Sequence, residues 1–174
     1  MLQTGWSGVA GALLAAALIT VPAAVVIAAP PSHADCGDPG EPPCTGPVPT
    51  DDEVAAVMTA LTDPNVPSID KTSVVTPGFS PEEAGPVDAD LNRCDSHGYM
   101  PFDFVVTDIQ PAPANFAGAT VASPEPWPHY SIHPTPVVLV NQGGHWLITN
   151  EAAMVFMNAV WNACRYHPGF VPVH

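Results

Sequence analysis

The feature that most constrains this chain is a change of hydrophobic period at Tyr99. Before it, apolar residues recur at helical spacing; after it they alternate with polar ones; from Asn150 the helical spacing returns. Segments ordered in this way predict a single α+β domain, with helices laid against a sheet. Thr50-Asp51-Asp52-Glu53 reads as a capping box, with three acids facing the positive end of the first helix. Val54, Val57, Met58 and Leu61 then follow at i, i+3, i+4 and i+7, and Asp63-Pro64 stops the segment. Ser80-Pro81-Glu82-Glu83 repeats the capping device with Pro at the first helical position. Gly85-Pro86 predicts one turn, a kink, and then a helix with Val87, Leu91 and Cys94 inward, ending at Gly98.

Downstream, "MPFDFVVTDIQ" puts Phe102, Phe104 and Val106 on one face of a strand and Asp103, Val105 and Thr107 on the other. Asp108 takes a turn role beside Gln110-Pro111. "NFAGATVAS" is a second strand and "YSIHPTPVVLVN" a third, whose Pro134 and Pro136 confine its first half to a sheet edge or a bulge. "HWLIT" is the fourth strand. Asn141 to Gly144 supply residues that tolerate positive φ, so "NQGG" reads as a hairpin corner and His145 as the start of the returning strand. A phosphate loop would instead be followed by a helix. The last helix is capped by Asn150, carries Glu151 in its first turn, and puts Ala153, Met157, Val160, Trp161 and Cys164 on its buried face before His167-Pro168-Gly169 stops it. The expected architecture is two N-terminal helices, a curved antiparallel sheet of about four strands and a C-terminal helix.

The ends of the chain read differently. Residues 1–34 have the composition of a signal peptide, apolar from Val9 to Ala29, with cleavage expected after Ser32-His33-Ala34. A retained membrane anchor is the alternative. Residues 35–49 form an acidic, Pro/Gly-rich tail, residues 50–166 the α+β domain, and residues 167–174 a C-terminal tail. Four cysteines in an exported chain read as two disulfides, expected as Cys36–Cys44 within the tail and Cys94–Cys164 between helix ends.

Lys71, Arg93 and Arg165 face 17 acids, for a net charge of -14. So few cations exclude nucleic acid as a partner. His129 and His133 would lie about 13 Å apart on an extended strand, too far to share an ion, so both read as surface histidines. No metal site, cofactor motif, nucleophile elbow or P-loop is expected. Asp103 between Phe102 and Phe104 is the best candidate for a carboxylate facing an apolar pocket, set against the plainer reading of a solvent-facing residue. Trp127, flanked by prolines, is the expected exposed aromatic contact, with His129 and Tyr130 beside it.

"LTDPNVPSIDKTSVV", "MPFDFVVTDIQPAP", "VVLVNQGGHWLIT" and the Ala/Met-rich helix after them resemble, in order, the small secreted low-molecular-weight antigens of mycobacteria and related actinobacteria. The resemblance spans Thr50 to Cys164 and implies export to the medium or cell envelope, with no known reaction. The element order is similar to cystatin-like or nuclear-transport-factor-2-like folds, an analogy of fold alone. This chain departs from the family pattern in its cysteines, a longer Pro/Trp-rich loop, the tail "RYHPGFVPVH" and His145 before Trp146. The expected function is a small exported non-enzymatic protein that binds an unidentified protein or small molecule, outside the membrane once the signal is removed. The alternative is a carrier or enzyme with a pocket between helices and sheet, in which Asp103 supplies the polar group.

Overall fold

Reciprocal caps start the first two helices where the sequence placed them. Helix α1 (Asp51–Leu61) opens with the Thr50 amide donating to Glu53 Oε2 at 2.8 Å and the Glu53 amide to Thr50 Oγ1 at 3.2 Å. Helix α2 (Pro81–Ser96) repeats the exchange between Ser80 and Glu83, at 2.8 and 3.3 Å. The structure, a computed structural model, describes residues 43–123 and 131–165. The expected signal peptide, most of the N-terminal tail including Cys36, the stretch holding Trp127, His129 and Tyr130, and the C-terminal tail lie outside the described residues.

Contrary to the expected kink, α2 runs unbroken through Pro86. Pro86 has no amide to donate to the Glu82 carbonyl, so one helical bond is missing. The preceding residue decides whether the helix survives, because the proline Cδ normally collides with the Cβ before it. Gly85 has no Cβ, and a position that looked like a double breaker is a matched pair.

The expected antiparallel sheet of about four strands is present, and a fifth, parallel strand makes it mixed. Its order is β1 (Val75–Thr76), β5 (His145–Thr149), β4 (Thr135–Gln142), β3 (Phe116–Ala122), β2 (Val105–Pro111). The added strand, β1, runs parallel to β5, with the Ile148 amide donating to the Val74 carbonyl at 2.8 Å. Two residues are too few to display an alternating period, so β1 leaves no local signature. β4 pairs with β5 only from Leu139 to Gln142, and Pro136 therefore lies in the half of the strand that β5 leaves unpaired. The β4–β5 corner is a two-residue turn, Gly143 (φ 62°) and Gly144 (φ 86°), stapled by the Gly144 amide donating to Asn141 Oδ1 at 3.1 Å. Asp108 does not serve a turn: it sits inside β2 with φ 54°, where the register with β3 slips between Thr107 and Gln110. That slip is a bulge at an edge strand, a device that discourages further pairing.

The core lies between the helices and one face of the sheet. Val54, Met58 and Leu61 of α1 and Leu91 of α2 are buried with Phe156 and Val160 of helix α3 (Asn150–Arg165). Ala117, Ala119 and Val121 of β3, with Val137 and Leu139 of β4, close the space from below. Cys94 and Cys164 form the expected disulfide, Cα atoms 5.5 Å apart, joining the last turns of α2 and α3. Cys44 is disulfide-bonded as well.

Two expectations about α3 change. Thr149, the last residue of β5, accepts the Ala152 amide at 3.3 Å and supplies the side-chain cap, so strand passes to helix with no loop between. Asn150 instead donates to the Gly78 carbonyl at 2.8 Å and to Glu83 Oε2 at 3.2 Å, tying the start of α3 to the start of α2. Trp161, expected in the core, is half-buried; the Arg93 and Arg165 guanidinium carbons lie 4.5 and 5.8 Å from its ring centre.

Candidate apolar groove and the placement of charge

β4 is apolar on both faces. Val137 and Leu139 point into the core, while Pro136 and Val138 occupy the opposite face and remain exposed, Val138 by 43%. Beyond Thr149 the chain has already become α3, so the unpaired half of β4 faces a helix rather than a strand. The first two turns of α3 put Ala153 and Phe156 into the core and leave Val155 53% exposed on the other side. Between these surfaces runs an open groove of about 590 Å³, bounded by Val138, Val155 and Ala152 together with Phe116, Ala112 and Pro113. Its lining holds one charged residue, Glu151. Two further clefts, of about 560 and 590 Å³, lie beside the C-terminal end of α1 and between α1 and the β4–β5 hairpin. Both carry more polar groups than the groove, Thr59, Asp63 and Asn65 in one and Glu53, Gln142 and His145 in the other.

None of the chain's three cations lies beside the groove. Lys71 is 2% exposed, and its ammonium donates to the Asp63 carbonyl at 2.6 Å and the Ala60 carbonyl at 3.2 Å, capping the C-terminal end of α1. Burial pushes the Lys71 ammonium below its ordinary pKa, against the opposing pull of Asp63 and Asp88. Asp63 in turn accepts the backbone and side-chain N–H groups of Asn65, both at 2.9 Å, which hold its carboxyl below the usual range. Arg93 and Arg165 are spent on Trp161.

The sequence-derived candidates are not gathered at the groove. Asp103 is exposed, precedes β2, and belongs to the lining of none of the three clefts. His133 is exposed, and Trp127, His129 and Tyr130 fall outside the described residues. Sequence reasoning missed Val138, Val155 and Glu151. One signal was present: "VVLV" is apolar at four consecutive positions, as a strand covered on both faces would be, whereas helices cover only one.

A family described as low molecular weight antigen MTB12, C-terminal domain, matches residues 47–164. Low molecular weight antigen MTB12 of Mycobacterium bovis is 36% identical over 115 residues, covering 66% of this chain and 67% of its own. The protein of the same name from Mycobacterium tuberculosis shows the same identity and coverage. A Mycobacterium leprae homolog is 28% identical over 121 residues, covering 70% of this chain and 71% of its own.

Proposed function

Because the chain belongs to the family of the low molecular weight antigen MTB12 C-terminal domain, we propose that it is a small exported, non-enzymatic binding protein, and that the groove beside α3 is its binding surface. The observation that carries this reading is the groove's apolar lining. Water-exposed apolar surface is unfavourable by about 25 cal/mol per Å², and a contiguous patch is retained most readily where a ligand covers it. Val138 and Val155 flank such a patch on rigid elements, a strand and a helix joined at Thr149. The rival reading, a pocket between helices and sheet, draws no support from that interior, which Met58, Leu91, Leu139 and Phe156 fill.

Octyl glucoside below its micelle concentration is a suitable neutral apolar probe, followed through valine methyl resonances. Val138 and Val155 methyls are expected to shift, and Val155→Asp is expected to abolish the response. Shifts centred on other valines would overturn the assignment. Export is tested separately by mass spectrometry of secreted material, which should find Asp35 at the N-terminus; a full-length product retained in the membrane would refute it.

A further inference from the structure

We infer that the groove selects an apolar peptide segment carrying a lysine or arginine, with the Glu151 carboxylate as its counter-charge; this rests on the groove being the binding surface. Glu151 is exposed in the first turn of α3 and is the charged member of the lining. Its carboxylate has no hydrogen-bond or ion-pair partner among the described residues. The charge that could neutralise it is elsewhere: Lys71 is sealed under α1, and Arg93 and Arg165 share the Trp161 ring. Arg165 stands 14 residues further along α3 than Glu151, a rise of about 21 Å, well past the roughly 8 Å over which physiological salt screens a charge.

A ligand entering the groove therefore meets apolar walls, one free carboxylate and the field of a chain with net charge -14. A purely apolar segment gains burial alone. An acidic one is repelled both locally and by the whole molecule. A segment with one basic side chain gains burial along its apolar part and its side-chain stem, with the charged head left at Glu151. Glu151 also suits the positive end of the α3 dipole, so a change in helix stability on its removal carries no information about ligands. Charge selectivity does.

The test uses the secreted protein and three peptides of one apolar sequence that differ at a single position, occupied by Lys, Gln or Glu. Binding is measured by titration at physiological salt, which screens charges beyond about 8 Å, with the Val138 and Val155 methyls locating the site. The lysine peptide should bind up to about fivefold more tightly than the glutamine peptide, the ceiling for an exposed ion pair, with the glutamate peptide weakest. Glu151→Gln should bring the lysine peptide to the glutamine peptide's affinity and leave the latter unchanged. Equal affinities on the unaltered protein, with the Val138 and Val155 methyls shifting, would sink the charge inference alone. A lysine preference that survives Glu151→Gln would also overturn it, since the preference would belong to the acidic surface as a whole. If no peptide moves either methyl, the groove itself is misassigned.

Discussion

The Cys94–Cys164 bond closes a loop of 70 residues between the ends of two helices that are already packed together. Its largest effect should therefore fall on the unfolded chain. Loop-closure entropy for that length corresponds to about 4.4 kcal/mol at room temperature. Replacing both cysteines by alanine adds a smaller term, because two sulfurs leave the core, where Cys94 is inaccessible and Cys164 nearly so. Urea unfolding of the double variant, Cys94→Ala with Cys164→Ala, should show a midpoint lower by about 2 to 3 M, taking a dependence of roughly 1.5 to 2 kcal/mol per molar. The slope separates the two causes. Releasing the cross-link lets the unfolded chain expand and expose more surface, so the slope should steepen; a hole in the core would leave it unchanged. A loss below about 1 kcal/mol at constant slope would refute the loop-closure account.

Lys71→Met keeps most of the buried volume but strips the Ala60 and Asp63 carbonyls of their donor, and should cost about 2 to 3 kcal/mol by chemical denaturation. Since burial lowers the pKa of Lys71 from 10.5, the unfolded chain binds the extra proton just below that pH. The unaltered protein should accordingly gain stability relative to Lys71→Met as pH rises through that window. Glu83 has the same sense in an acid window: the Ser80 amide, the Asn150 amide and the Ser80 hydroxyl depress its pKa below 4.5, so stability present above that pH drains away as pH falls through the depressed value. Glu83→Gln should flatten this acid limb in thermal melts, and an unchanged limb would dissociate the cap from acid sensitivity. Gly85→Ala, ordinarily worth up to about 1 kcal/mol to a helix, should instead destabilise α2. No tertiary neighbour approaches an added Cβ, so the Pro86 ring alone decides the sign, and a higher melting temperature would contradict the matched-pair account.

Local chemistry accounts for what was legible beforehand. Both capping boxes, the buried positions of α1 and α2 and the Gly143–Gly144 corner follow from spacing and from residues within a few positions of one another, and the Cys94–Cys164 pairing from each cysteine's place near the end of a helix. The misreadings arise where a partner is distant. β1 exists because Val75 finds Ile148, 73 positions away. Asn150 looked like a cap, yet Gly78 and Glu83 claim its side chain, leaving Thr149 to cap the helix. Trp161 has core spacing but meets two guanidiniums at the domain surface. The groove was half legible: four apolar residues in succession announced a strand with a second apolar face, but not that the facing element would be α3. Glu151 was noticed only as a helix-dipole residue, since nothing within its own segment marks it as bordering a groove.

The confinement of the cations has a consequence for digestion. A protease that cuts after lysine and arginine finds three bonds in the whole chain. The first follows Lys71, whose side chain is sealed under α1; the second follows Arg93, within α2 and immediately before a cross-linked cysteine. The third follows Arg165, the exposed last residue of α3. When the fold is lost and all three bonds are cut, residues 94–165 leave as one piece, with Cys94 at its first position and Cys164 next to its last. Their disulfide closes that piece into a ring, so β2 to β5 and α3 would survive complete trypsinolysis as a single, nearly circular polypeptide.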